Sequence, residues 1–263
     1  MQTISIFFVL VISTAELRKV ACEAGTKSFR DIMWEIFLKY KPMENPDLFE
    51  GDILPDDSAG ESRTVVMSEA RLWTDGIVPY VVDPAAKINM KLVNAVMKEF
   101  EEKTCIKFVP RKNEKNYIFI YKGRGCHSKV GMIGGRQRLS LGAGCLNKGI
   151  LFHELCHALG FYHEHNRPDR DEYIEIVESN LLPNAKSQFK KYKPDGIRLL
   201  TNYSYDTVMH YGSTSFSKDR SSFTMKPKKG QSVLKEVHEK SALTENDVKY
   251  INILYDCEFY FGS

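Results

Sequence analysis

His153-Glu154-Leu155-Cys156-His157-Ala158-Leu159-Gly160-Phe161-Tyr162-His163 is the stretch on which the reading of this 263-residue chain turns. On a helix, His153 and His157 stand one turn apart on the same face, so two imidazole nitrogens can reach one metal ion. Glu154 lies about 100° round that helix, near enough to hold a water beside the metal without being a ligand itself. Gly160 can take a positive φ, end the helix and swing the chain so that His163 returns as a third ligand. Three neutral nitrogens with an open position describe a catalytic zinc site, one ion per chain, and not a structural one.

Further along stand Glu164-His165-Asn166-Arg167-Pro168-Asp169 and then Ser204-Tyr205-Asp206-Thr207-Val208-Met209-His210-Tyr211. A zinc run with a downstream Met-turn resembles the metzincin endopeptidases. Glu164 directly after the third His, together with Met209-His210-Tyr211, looks like the astacin branch. Cys126-His127-Ser128-Lys129-Val130-Gly131 and the run Gly134 to Cys145 are similar to the same family, and the likeness extends from about Trp73 to Cys257. One departure is Cys156, which stands where that family more usually has Met; a buried thiol acting as a small apolar residue is expected there. The resemblance implies a two-lobed α+β zinc protease. Its upper lobe carries a mixed β-sheet and two long helices, its lower lobe is largely irregular with a C-terminal helix, and zinc lies at the bottom of the cleft between them. It also implies disulfides Cys126–Cys145 and Cys105–Cys257, an apolar floor from Met209, and substrate adding as a strand along the Gly134–Leu141 rim. Tyr211 is implied as a further zinc ligand at rest that swings out to donate to the oxyanion.

The residues of the N-terminal part point the same way. Ile4 to Ile12 is apolar but too short to span a bilayer, and Ser13-Thr14-Ala15 supplies small residues for cleavage, so 1–15 reads as a secretory signal peptide. No other stretch is apolar for long enough to cross a membrane, so a soluble, secreted, extracellular product is expected. Residues 1–63 hold 7 Lys+Arg and 11 Asp+Glu, leaving 30 and 23 for residues 64–263, which makes the two parts near −4 and +7. Within the acidic part, Phe49-Glu50-Gly51-Asp52-Ile53 offers a carboxylate that zinc accepts as a ligand, and Gly51 lets the backbone come close. This resembles the aspartate switch of astacin prosegments, with Asp52 as a fourth ligand in the latent form only. Arg63-Thr64 is a trypsin-like cleavage point, so 16–63 reads as a propeptide removed by a trypsin-like protease, and 64–263 as the catalytic domain. By resemblance, the ammonium of the new N-terminus at Thr64 pairs with Glu164; a nearby Arg is the alternative partner.

The remaining pattern fills in an α+β domain. Ile77–Val82, Ile106–Val109 and Tyr117–Tyr121 read as strands, and another lies before Cys145. Met90 to Lys103 carries Val93, Val96, Met97 and Phe100 on one stripe, and Thr244 caps a late helix. The Gly134-Gly135 stretch has neither dinucleotide nor phosphate-loop spacing. The basic run Lys218 to Lys229 reads as a solvated loop without the aromatic interleaving that nucleic-acid binding needs, so no nucleic-acid partner is expected. Asn202-Tyr203-Ser204 is a glycosylation sequon. The chain ends six residues after Cys257, from which a minimal single catalytic domain is expected; oligomeric state is not legible. The expected activity is hydrolysis of proteins or peptides by a zinc-activated water with Glu154 as general base. The competing reading is a catalytically silent zinc-binding domain that acts by protein binding, against which stands the retention of Glu154.

Overall fold

The computed structural model describes residues 41–55 and 71–257. The expected signal peptide and the Arg63-Thr64 bond lie outside the described residues. The β-branched and aromatic runs become a five-stranded sheet of order β2-β1-β3-β5-β4. Its strands are β1 (Ile77–Val82), β2 (Lys107–Pro110), β3 (Tyr117–Tyr121), β4 (Cys126–Ser128) and β5 (Arg136–Leu141). The first four in that order run parallel, and β4 closes one edge antiparallel to β5.

Two helices back the sheet. α1 (Met90–Lys103) starts where the Asn89 side chain accepts from the Leu92 amide, and it buries Val93, Val96, Met97 and Phe100. α2 (Lys148–Leu159) starts at Asn147, whose side chain accepts from the Gly149 and Ile150 amides. Gly160 ends it with φ +112°, a left-handed conformation that suits glycine. Every α2 residue after Lys148 is buried, so it is a central helix and not an amphipathic one. Phe100 meets Phe108 at 5.4 Å and Phe152 at 5.6 Å, tying α1, β2 and α2 into one core.

Below α2 the chain is irregular, as its Pro, Gly and Ser content predicts. Short 3₁₀ turns alternate with one two-stranded piece, β6 (Ile174–Ile176) against β7 (Met225–Pro227). α3 (Glu245–Leu254) opens with a reciprocal cap, Thr244 accepting from the Asp247 amide and Asp247 from the Thr244 amide. Both expected disulfides are present, Cys105–Cys257 and Cys126–Cys145, and Cys156 is a buried free thiol. The first closes a loop of 152 residues, for which the chain-entropy account gives about 5 kcal/mol.

Candidate metal centre

α2 delivers His153 and His157, and the turn at Gly160 brings His163 back beneath them. The Nε2 atoms of His153 and His163 are 3.1 Å apart, and those of His157 and His163 3.2 Å. Each outer nitrogen is committed elsewhere. Nδ1 of His153 donates to the Val208 carbonyl at 2.7 Å, Nδ1 of His157 to the Phe161 carbonyl at 2.8 Å, and Nδ1 of His163 to Glu50 at 2.6 Å. With the Nδ1–H groups turned outward, three Nε2 lone pairs face one another. Such a cluster needs a positive charge at its centre. Burial opposes a proton on His163, yet Asp52 and Glu50 outweigh it and push its pKa up to about 9. Burial drives His153 the other way, to about 3.

Asp52 supplies the fourth donor. One carboxylate oxygen lies 3.0 Å from His153 Nε2; the other is 3.4 Å from His157 Nε2 and 3.2 Å from His163 Nε2. Asp52, His153, His157 and His163 form one group able to hold a single metal ion. Three imidazoles and a carboxylate are a zinc donor set, so the residues present fit zinc. The second Asp52 oxygen and both oxygens of Glu154 are buried with no hydrogen-bond partner. Burial first, and then Asp52, hold the Glu154 carboxyl well above the usual range.

Tyr211 and Met209 stand where the Met-turn places them, both buried. The Tyr211 hydroxyl reaches Asp52 at 2.7 Å and lies 2.9 Å from the Met43 carbonyl and 3.2 Å from that of Glu50. Burial, followed by Asp52, raises its pKa well above that of a free phenol, so it stays a donor. Behind it, His210 donates from Nδ1 to the Tyr211 carbonyl at 2.7 Å and accepts at Nε2 from Tyr203 at 2.7 Å. Glu164 accepts from Arg167 at 3.1 Å and from the Ser204 amide at 2.8 Å. Its burial pushes its pKa up to about 7 despite Arg167. A cavity of about 20 Å³ beside it is lined by Glu164, Arg167, Met209, Asp247 and Tyr250 among others.

Residues 42–54 fill the cleft along β4. The Cys126 amide donates to the Pro42 carbonyl, the Ser128 amide to that of Asp52 at 2.9 Å, and the Leu54 amide to that of Ser128 at 2.8 Å. Ile53 pairs with Ser128 in the parallel sense. Glu44 accepts from the Phe216 amide at 2.8 Å across the cleft. At Gly51, with φ +95°, a Cβ would meet the Met43 carbonyl oxygen at 2.4 Å and Phe216 Cζ at 2.7 Å, so only glycine allows this approach.

Sequence reasoning missed Glu50, which accepts from His163 Nδ1 and also from the Tyr192 hydroxyl. Its only signal was its place two residues before Asp52. Asn202 is exposed, as a sequon requires, and Asp219 organises the Lys218–Ser222 turn by accepting from the Ser221 and Ser222 amides.

The sequence model of one peptidase family, Astacin, matches residues 65–256. The chain is 37% identical over 235 residues to the zinc metalloproteinase nas-15 of Caenorhabditis elegans, covering 82% of this chain and 40% of that protein. It is 38% identical over 214 residues to astacin-like metalloprotease toxin 1 of Loxosceles intermedia, covering 80% and 81%. Among solved structures, high choriolytic enzyme 1, a hatching enzyme zinc-protease of the medaka Oryzias latipes, superposes with a TM-score of 0.65 at 32% identity over 77% of this chain and 100% of that one.

Proposed function

The chain belongs to the astacin family, and from that premise we propose that it is a zinc endopeptidase made as a secreted, latent precursor. The observation that carries the proposal is the convergence of three imidazole lone pairs and Asp52 beside an unpartnered, buried Glu154. His153, His157 and His163 would hold the zinc, which would supply the Lewis acidity that activates a water near neutral pH and polarises a peptide carbonyl. Glu154 takes one proton of that water as its oxygen attacks the carbonyl carbon. It then gives the proton to the amine that leaves as the C–N bond breaks. Tyr211, a phenol, donates to the oxygen on which negative charge develops. β5 is paired on both sides, to β3 and to β4, so the Gly134–Leu141 stretch is not the rim expected from sequence. The free edge is that of β4, whose N–H and C=O groups hold the substrate as an added strand once residues 42–54 withdraw.

In the uncut chain Asp52 occupies the fourth position, and Gly51 and Glu50 let it reach there. Removal of residues 1–63 by a trypsin-like protease at Arg63-Thr64 would withdraw Asp52 and create an α-amine at Thr64. The small cavity beside Glu164 supports the further reading that this amine binds there as a second cation alongside Arg167. A buried carboxylate shared with one Arg remains costly to charge, and a second cation offsets that. Met209 serves as the apolar floor, and exposed Asn202 as a glycan site.

The test separates an enzyme from a silent zinc domain. A quenched-fluorescence peptide incubated with the protein cut at Arg63 should be hydrolysed, and a chelator should stop it. Glu154→Ala should keep one zinc per chain while its rate falls by about 10²–10⁴-fold. No hydrolysis by the zinc-loaded, processed protein would favour the silent domain.

A further inference from the structure

The face of the main sheet turned away from α1 and α2 carries a row of cations fixed over aromatic rings. Along β3, Ile118 and Ile120 point into the core, so Tyr117, Phe119 and Tyr121 point the other way and are half-buried. Each ring lies beneath a guanidinium. Arg111 sits 4.0 Å above Tyr117, Arg136 3.7 Å above Phe119 and Arg138 5.5 Å above Tyr121. The β3–β5 register, Tyr117 with Arg136 and Phe119 with Arg138, puts these side chains on the same face. Exposed Lys107 joins them through the pairings of Ile77 with Lys107 and Val81 with Phe119. Residues 104–142 contain nine Lys or Arg and one acid, Glu114. Asp75 and Asp83 stand just outside the two ends of β1.

We propose that this face is a binding surface for a sulfated polysaccharide, separate from the cleft. Ring contact at 4.0 and 3.7 Å holds Arg111 and Arg136, with Arg138 farther off, and leaves terminal N–H groups to fork onto an anionic group. Arg111 gives its Nε–H to the Glu114 carbonyl, at 2.8 Å, and lies near enough to the Glu114 carboxylate to add to the backbone hydrogen bonds that lower its pKa. Arg136 and Arg138 are two residues apart on one strand, so their heads repeat at about 7 Å along a row about 13 Å long. A linear polymer with regularly spaced sulfates matches such a row. The capped rings argue against single-stranded nucleic acid, which needs bare aromatic faces for its bases.

Heparin is the probe. The full chain and Arg136→Gln/Arg138→Gln are titrated with heparin oligosaccharide across a salt series, with Lys218→Gln/Lys229→Gln on the lower lobe as a matched control. The upper-face pair should weaken heparin binding about tenfold or more and reduce the slope of log K against log salt by about 2. The control should bind as wild type does, and all three should melt at the same temperature, which reports that each is folded. Arg111→Gln should add to the loss. Unchanged heparin affinity in the upper-face pair overturns the proposal, as does a loss that follows the lower-lobe pair instead. Binding of single-stranded DNA of equal charge as tightly as heparin, lost in the same pair, would replace the polysaccharide with a phosphate polymer.

Discussion

Replacing Gly51 with alanine tests the latch at its tightest point. The backbone there has φ +95°, and the new methyl would lie 2.4 Å from a backbone oxygen and 2.7 Å from the Phe216 ring. A left-handed conformation costs an L-residue about 1–2 kcal/mol, and forcing a methyl into filled space adds about 1–3 kcal/mol. Together these disfavour the docked segment by about 2–5 kcal/mol, which at 1.4 kcal/mol per decade raises the undocked fraction roughly 30- to several-thousand-fold. The assay is the initial rate of peptide hydrolysis by an uncut precursor, made uncleavable with Arg63→Ala and normalised to bound zinc. Protein beginning at Thr64 lacks residue 51 and sets the ceiling. The Gly51→Ala precursor should climb towards that ceiling, and Asp52→Ala should do so by removing the donor. A zinc-loaded Gly51→Ala precursor as silent as wild type, beside an active Asp52→Ala precursor, would refute the reasoning.

Two other outcomes follow from buried charge. Mature protein extended by two residues before Thr64 should melt below the form that starts at Thr64, and Glu164→Gln should abolish the difference; equal melting temperatures in the wild type would sink the buried pair. Lys240 is buried with its ammonium on the Thr207 and His210 carbonyls, and burial lowers its pKa to about 8 from 10.5. Below pH about 8 both folded and unfolded chains carry this charge, and the fold bears the whole penalty. Between about 8 and 10.5 the unfolded chain keeps a proton that the folded chain has released, so stability rises with pH, by at most about 3 kcal/mol. Urea unfolding at pH 7.5 and pH 10 should show the wild type gaining on Lys240→Met; a difference that stays flat across that interval removes the assignment.

The helix of the histidine run and strands β1, β2, β3 and β5 were legible because each depends on local spacing or residue type, whereas Asp52 was legible only through its resemblance to astacin prosegments and the short strands β4, β6 and β7 were not read. The i, i+4 histidines and Gly160 need only a helix and its end, and the apolar alternation of Tyr117–Tyr121 needs only a strand. β2 began one residue later than its apolar run suggested, at Lys107, because hydrogen-bond pairing to Ile77 sets its limit. What stayed hidden depends on long-range contact. Glu50 gives no sign in sequence that it meets His163, 113 residues away. The outer-nitrogen partners Val208 and Phe161 are backbone carbonyls, which carry no residue signature at all. The Arg–aromatic row was missed because Arg111, Arg136 and Arg138 come together only through strand order, whereas Lys218 to Lys229 is conspicuous as a run. That run is not the solvated loop expected throughout, since an exposed turn at Asp219 leads into strand β7, where Thr224 and Met225 are buried.

A protease shares its solution with other copies of itself, and the Cys105–Cys257 bond bears on what happens when one copy cuts another. A single break in any loop between those residues leaves two polypeptides still joined through sulfur, with the sheet, α2 and α3 on one covalent body. Such a nicked molecule runs as intact on a non-reducing gel and separates into fragments only when reduced. Its pieces cannot diffuse apart, so local opening at the break can close again, and an early self-inflicted cut becomes a wound and not a death.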